Sequence, residues 1–497
     1  MGAMKTPGVY IVEKNAFSNS TVEVATAVPA FIGYTEKAAN GNVSLLNKPF
    51  RISSMAEFHA YFGGTPKPEF IIADAAEGDV NPLVCGGKSY KVSRKGASFS
   101  LYYQMLLFFA NGGGPCYIVS VGNYSADEID GAKLSAGVDT LLKEQEPTMV
   151  LCPEAVALKD VDACAAVQQA MLTHCGYKMQ NRIAIVDVFD GFKDRNDPTG
   201  DVVNNFREKI GSNYLDYATA YYPWVNTSIV QERDLCFENL DEAQLKPLLT
   251  AEIEKQPDAV KTVLTDLYAE DFASLDDVAK SSLHKTMIQV SPIYNAIIKE
   301  MCRQMNLLAP SAAMAGIYTM VDNTRGVWKA PANLSLNSVI SPAVNLTNAE
   351  QEDLNVPLNG KALNAIRYFV GDGIKVWGAR TLDGNSLDWR YINVRRTMIM
   401  LEESVKNAAR AYVFEPNDAS TWLNVRTMIQ NFLNGIWKRG GLVGSTPDEA
   451  YNVHLGIGDT MTPEDILEGI MRVSVFVAIS RPAEFIEITF QQKMQES

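Results

Sequence analysis

Apolar and polar positions along this chain follow two periods, and the changes between them mark its elements. Near the end, Ile486, Ile488 and Phe490 alternate with Glu487, Thr489 and Gln491, directly after Arg481-Pro482-Ala483-Glu484-Phe485. A period of two predicts a strand with one buried face. Near the start, Pro7-Gly8 leads into a second short apolar run, Val9-Tyr10-Ile11-Val12, before Glu13. Neither run has a strand beside it in sequence to pair with. A terminal strand is ordered only where a sheet accepts it, and an unpaired edge recruits another chain. The two ends therefore predict a subunit that builds polymers.

Between the ends the pattern is α/β. A strand is predicted over Val22–Tyr34, interrupted by Pro29, then a short helix over Ser54–Tyr61 closed by Gly63-Gly64, then a Gly-, Asp- and Pro-rich passage from Thr65 to Lys95. Leu101, Met105, Leu106 and Phe109 give Ser98–Asn111 a helical stripe, stopped by Gly112-Gly113-Gly114-Pro115, and Cys116–Val121 reads as the next strand. Ser125 and Glu128 predict a capping box for a helix running to about Glu146. The alternation continues with strand Thr148–Cys152, helix Val161–Cys175, strand Arg182–Val188, helix Val202–Ile210 and strand Ala218–Val225. Such alternation predicts an α/β layer with a largely parallel sheet.

The segment Ser228–Lys285 breaks the rhythm, with thirteen acidic residues against six basic ones, a net −7. Val260, Val263, Leu264 and Leu267 keep a helical stripe within it, which predicts a small acidic helical insertion. In the C-terminal third, Trp422, Val425, Ile429, Phe432, Leu433 and Ile436 share one face of a helix from about Ala419 to Arg439, stopped by Gly440-Gly441. Thr446-Pro447-Asp448-Glu449 and Thr462-Pro463-Glu464-Asp465 are two helix starts. Tyr451–Gly456 and Val473–Ala478 read as strands.

A chain of 497 residues exceeds what one core holds and predicts more than one domain. Its net charge of −14, without a basic tract, argues against a nucleic-acid partner. Seven scattered cysteines without a Cys-x-x-Cys, and four histidines without a paired motif, predict reduced thiols and no metal site. No apolar run reaches the roughly 20 residues of a spanning helix.

Candidate chemistry fails residue by residue. Gly86-Gly87-Lys88-Ser89 resembles the end of a phosphate loop, but Pro82 stands where that loop needs its first glycine. Asp187 and Asp190 end a predicted strand, where α/β enzymes place acids, yet no nucleophile elbow or matching histidine accompanies them. An α/β hydrolase-like enzyme is thus the weaker alternative, and no cofactor is expected.

Several blocks together carry a family resemblance. Pro310-Ser311-Ala312-Ala313-Met314-Ala315-Gly316-Ile317-Tyr318, Arg325-Gly326-Val327-Trp328-Lys329-Ala330-Pro331-Ala332-Asn333 and Ile374-Lys375-Val376-Trp377-Gly378-Ala379-Arg380-Thr381 are three of them. Trp389-Arg390-Tyr391-Ile392-Asn393-Val394-Arg395-Arg396, Glu402-Glu403-Ser404, Val413-Phe414-Glu415-Pro416-Asn417-Asp418 and Arg481-Pro482-Ala483-Glu484-Phe485 continue the series. With Pro7-Gly8-Val9-Tyr10, Val28-Pro29-Ala30-Phe31-Ile32-Gly33 and Tyr221-Tyr222-Pro223-Trp224 upstream, the chain resembles the contractile tail sheath family of phage tails and extracellular contractile injection systems. Ser228–Lys285 is longer than the family's usual link at that place.

The resemblance implies a multi-domain α/β architecture: an N-terminal strand arm at 1–21, a middle α/β domain at 22–365 carrying the insertion at 228–285, a C-terminal α/β domain at 366–484 facing an inner tube, and a C-terminal arm at 485–497. It implies a homo-oligomer of stacked rings, assembled in the bacterial cytoplasm around an inner tube protein, with baseplate and cap components as further partners. No nucleic acid, membrane insertion or catalysis is implied. Val9, Tyr10, Ile11 and Val12, with Phe485, Ile486, Ile488 and Phe490, would be strands exchanged between subunits. A helix over Pro463–Arg472, with Glu464, Asp465, Glu468 and Arg472 as its charges, would touch the tube.

Overall fold

The computed structural model describes residues 21–488 apart from 77, 78, 80, 81, 86, 254–257, 259, 260, 263, 266–271, 273 and 274. Val9–Glu13, Thr489 and Phe490 lie outside the described residues. Two compact units are present, one built from 25–396 with 481–488, the other from 21–24 with 397–480.

The larger unit is organised by one nine-stranded sheet. Its strands are β1 (Pro29–Thr35), β2 (Phe50–Ile52), β6 (Cys116–Asn123), β7 (Met149–Leu151), β8 (Ile183–Asp187), β9 (Ala218–Tyr222), β10 (Leu334–Ser335), β11 (Asn364–Phe369) and β12 (Gly373–Trp377). They lie in the order β10-β12-β11-β9-β8-β7-β1-β6-β2. Pairing is parallel from β11 to β6 and antiparallel at both margins, where β2 joins β6 and the β11–β12 hairpin adds β10. The central strands are buried along their whole length, as continuous apolar runs in a sheet covered on both faces should be. The expected division at 365/366 falls inside β11 and is corrected: the hairpin completes the large sheet, and the smaller unit begins at Thr397.

Helices α2 (Leu101–Ala110), α3 (Gly131–Thr140), α4 (Val161–Thr173) and α5 (Val202–Lys209) supply the crossovers. Two sequence expectations shift at element starts. The strand expected from Val22 begins only at Pro29, because a proline has no N–H to give a central ladder and is tolerated as its first residue. The helix expected to open with Ser125 and Glu128 opens at Gly131, where the Asp130 carboxylate accepts from the amide of Ala132 at 2.8 Å. Ser125 instead donates its hydroxyl to Asn123 Oδ1.

The passage from Thr65 to Lys95 is a three-stranded antiparallel sheet of β3 (Glu69–Asp74), β4 (Leu83–Cys85) and β5 (Lys88–Lys95), ordered β3-β5-β4. Phe70, Ile72 and Val92 are its buried positions. Lys88 and Ser89 start a hairpin strand after Gly87 in the left-handed region (φ 84°), where a phosphate loop would lead into a helix. The acidic insertion is fastened to this sheet. Leu240 bridges Phe70, Gln244 Oε1 accepts from the Ile72 amide at 2.7 Å, and Asn239 donates to the Pro68 carbonyl at 2.9 Å. Its helices α6 (Glu242–Ile253) and α7 (Asp277–Val290) neutralise part of their own charge through Lys246–Glu242 and Lys280–Glu238. Of the expected stripe, Leu264 is buried, while Val260, Val263 and Leu267 lie outside the described residues.

The smaller unit is built on α12 (Ala419–Lys438). Asp418 caps it by accepting from the Thr421 amide at 2.9 Å, and Val425, Met428, Ile429, Leu433 and Ile436 form its buried face. Strands β13 (Tyr451–His454) and β14 (Ser474–Val477) make an antiparallel pair beside it, and the short helix α14 (Pro463–Leu467) lies between them in sequence.

Candidate assembly site

The root of the C-terminal arm is held by a buried, bidentate ion pair. The Arg380 guanidinium grips Glu484 with two bonds, Nε to Oε1 at 3.0 Å and Nη2 to Oε2 at 2.5 Å, and its Nη1 donates to the Asn355 carbonyl at 3.0 Å. The Tyr391 hydroxyl donates to Glu484 Oε2 at 3.2 Å. Arg380 is 3% exposed and Glu484 19%. Burial alone would raise the Glu484 pKa, but Arg380, with Asn355 and Tyr391, holds it below the ordinary glutamate value. Beyond this clamp the chain leaves the surface: Phe485, Ile486 and Ile488 are 76%, 78% and 69% exposed. Three large apolar side chains in four residues, exposed and outside any strand, are a liability unless something covers them.

The root of the N-terminal arm lies on the other unit. There the Val24 amide donates to Ser404 Oγ at 3.1 Å, and Arg439 pairs with Glu23 at 2.5 Å with both side chains substantially exposed. A surface pair of this kind contributes about 0–1 kcal/mol, whereas stripping one partner from a buried pair costs about 3–5 kcal/mol. The C-terminal root is the firmer of the two.

Among the described residues, β13 and β14 form a sheet of only two strands. Two strands alone are marginal, and here the packing against α12 supports the pair while its outer edge stays open to further strands. The Ala478 amide donates to the Ala450 carbonyl at 2.9 Å, in register with the facing pairs Tyr451–Val477 and Val453–Val475. Antiparallel alternation then turns the amides of Val475 and Val477 away from β13, leaving an open row of donors and acceptors. Phe476 is 62% exposed on this strand.

The helix expected over Pro463–Arg472 is shorter. It spans Pro463–Leu467, with Glu468 as its end residue and Gly469 in the left-handed region (φ 74°) turning the chain out. Asp465 is committed twice within its own segment, closing a capping box with Thr462 and pairing with Arg472 at 3.0 Å. That leaves Glu464 and Glu468 as the outward charges, with Leu467 fully exposed beside them.

The remaining place for ligand chemistry in an open parallel sheet is the crevice at the carboxyl ends of its strands, where the order reverses. Here the order β6-β1-β7-β8-β9 reverses between β1 and β7. The chain's own Glu154 fills that crevice. Its Oε2 accepts from the Tyr34 amide at 2.8 Å, and its Oε1 from the Ser100 and Leu101 amides at 2.9 and 3.1 Å, at the start of α2. A bound anion would use those same helix-start amides. Gly33 lets the carboxylate approach, since a Cβ there would stand 2.8 Å from Oε2. Asp187, at the end of β8, is likewise spent on structure, accepting the amide and hydroxyl of Ser311 at the start of helix α9 (Ser311–Arg325). No group of three metal-ligating side chains occurs among the described residues, and no described helix is long and apolar enough to cross a membrane.

Burial pushes Glu154 up to about 7 against the pull of its three amides. The folded state therefore holds that proton more tightly than the unfolded one, and stability falls as the pH rises from the ordinary glutamate range through 7. Glu154→Gln should cost about 1–3 kcal/mol at pH 5, because an amide cannot accept at both ends. That cost should shrink as the pH rises to 8, as read from denaturant melts of both proteins at each pH.

Residues 385–493 match the phage tail sheath C-terminal domain family. A tail sheath protein of Vibrio phage KVP40 is 25% identical over 181 residues, which are 36% of this chain and 25% of that one. The chain thus spans about a quarter of the length of that curated relative. Similarity to solved structures runs end to end. The helical sheath of the anti-feeding prophage in its contracted state is 28% identical, with a TM-score of 0.61 over 99% of this chain and 100% of that one. The contracted sheath complex of PVC, an extracellular contractile injection system, is 26% identical, also at 0.61, over 99% of each chain.

Proposed function

We infer that this chain is a structural subunit of a contractile sheath, a member of the tail sheath family that polymerises around an inner tube. The observation that carries the reading is the end-to-end similarity to the contracted sheaths of two injection systems, at an identity above a quarter. A hydrolase-like enzyme has no support from the crevice, where Glu154 and Asp187 are both engaged with backbone amides.

In this reading the chain's open groups complete one another between copies. Phe485, Ile486 and Ile488, exposed beyond the Arg380–Glu484 clamp, form a strand on the open β13–β14 edge of a neighbouring subunit, as an extended segment adds to a sheet edge. Val9, Tyr10, Ile11 and Val12 do the same for a second neighbour. Backbone bonds of this kind persist while unit faces repack, so the polymer shortens without coming apart and draws on the energy difference between two packings. Glu464, Glu468 and Leu467 are the surface offered to the tube. Baseplate and cap components would hold the two ends of the polymer, and assembly in the bacterial cytoplasm follows from the same reading.

Negative-stain microscopy of the purified chain, alone and with its inner-tube partner, tests this. Long hollow tubes with a regular axial striation are expected. A protein that stays monomeric with the tube present, at concentrations where sheath relatives polymerise, would overturn the reading.

A further inference from the structure

Arg380 and Glu484 are separated by 104 residues and belong to two different sequence blocks, Trp377-Gly378-Ala379-Arg380 and Arg481-Pro482-Ala483-Glu484. Between them the chain builds 397–480 of the smaller unit and then returns to the larger one at Arg481. The return is held firmly at one residue, Arg481 adding only a long, exposed contact to Asp388 at 3.8 Å. Glu484 is the last described residue before the exposed run, and both its oxygens are held, by Arg380 Nε and Nη2 and by the Tyr391 hydroxyl. Arg380 is itself locked: its amide donates to Asn364 Oδ1 at 2.7 Å, its Nη1 bonds the Asn355 carbonyl, and its guanidinium lies 5.9 Å from the Tyr391 ring centre. A bidentate arginine fork fixes direction as well as distance, which a lysine in its place would not.

We propose that Arg380 is a positioning residue for strand exchange: acting through Glu484, it fixes where the C-terminal arm leaves the larger unit, so that the arm meets its acceptor at a high effective concentration. The proposal rests on the sheath reading. Arm and acceptor belong to different copies, and a segment whose root is held samples fewer directions than one flexible from Ser480 onward; association improves to the extent that this ordering is done beforehand. The exposed Arg439–Glu23 pair at the other root has no such enclosure and serves as the internal comparison.

The test uses the full chain and Glu484→Gln, which keeps the side chain's shape and removes the charge. Arg380→Lys retains the charge and loses the fork. The 15N–1H heteronuclear NOE at the amides of 485–488 in the monomer should fall in Glu484→Gln, as the run gains the freedom of an unheld root. The concentration for half-assembly, measured well below the melt of each protein, should rise at least tenfold in both variants, with Arg439→Ala within twofold of wild type. Arg380→Lys, which keeps a cation beside Glu484, should melt closer to wild type than Glu484→Gln, which leaves the buried Arg380 without its counter-ion. A wild-type chain that forms no sheath refutes the sheath reading itself, while the relaxation measurement still reports on the clamp. Wild-type sheaths with equal half-assembly concentrations in Glu484→Gln and wild type would overturn the positioning role alone, as would an unchanged heteronuclear NOE at 485–488.

Discussion

Ending the chain after Glu484 should leave a folded monomer that no longer forms sheaths. The cut is placed by the clamp. A cut two residues earlier, after Pro482, would also remove Glu484 and leave the buried Arg380 without its counter-ion, so loss of assembly could then be loss of fold. Keeping Glu484 preserves the clamp, and of the residues removed Phe485, Ile486 and Ile488 are exposed in the monomer. In the polymer each of these side chains gains about 1.5–3 kcal/mol on burial, and each ladder bond about 1 kcal/mol. Losing even two such side chains is a change of about a hundredfold or more in association, at ten per 1.4 kcal/mol. The melting temperature and far-UV circular dichroism of the truncated chain should match wild type, and sedimentation velocity should show a monomer where wild type sediments as polymer.

The second large effect is expected on the acceptor side. Val475→Pro should abolish sheath formation while the monomer stays folded. In the monomer β14 is an edge strand, and the Val475 amide points away from β13, so a proline there removes no bond inside the unit. Once a neighbour's arm pairs with that edge, β14 becomes a central strand, where proline removes a ladder bond and its ring blocks the approach. The same residue is thus tolerated in one state and excluded in the other. Phe476→Pro, whose amide faces β13, should instead damage the monomer itself, and comparing the two melts separates edge pairing from folding.

The legible parts of this protein were those set by local period. Continuous apolar runs gave β7, β8 and β9 within a residue or two at their starts, the stripe from Val425 to Ile436 gave α12, and Thr462 with Asp465 gave the start of α14. Period-two alternation marked Ile486 and Ile488 as apolar positions, and both are exposed and outside any strand in the isolated chain. What escaped depends on contacts far apart in sequence. Strand β5 of the β3–β5–β4 sheet has polar residues on most of its positions, and the sheet is fastened by an insertion about 170 residues later. Glu154 follows an apolar strand with no motif around it; an acid placed at the carboxyl end of a buried strand, next to Pro153, was the available signal. The division between units was misplaced because the β11–β12 hairpin pairs back onto a parallel strand laid down 140 residues earlier, and the chain's last described segment returns to that same unit. At Asp465 and Arg472 the charges were visible, but their engagement with each other was not.

The central claim is that copies of this chain are joined by each other's terminal strands, and a cryo-electron microscopy reconstruction of its assembled sheath, at a resolution that traces the backbone, tests it most directly. The β13–β14 pair should appear as part of a sheet of four strands, with Phe485–Phe490 of one neighbour and Val9–Glu13 of another as the added strands. A β13–β14 pair that stays two-stranded in the polymer, or is completed by the arms of its own subunit, would contradict it.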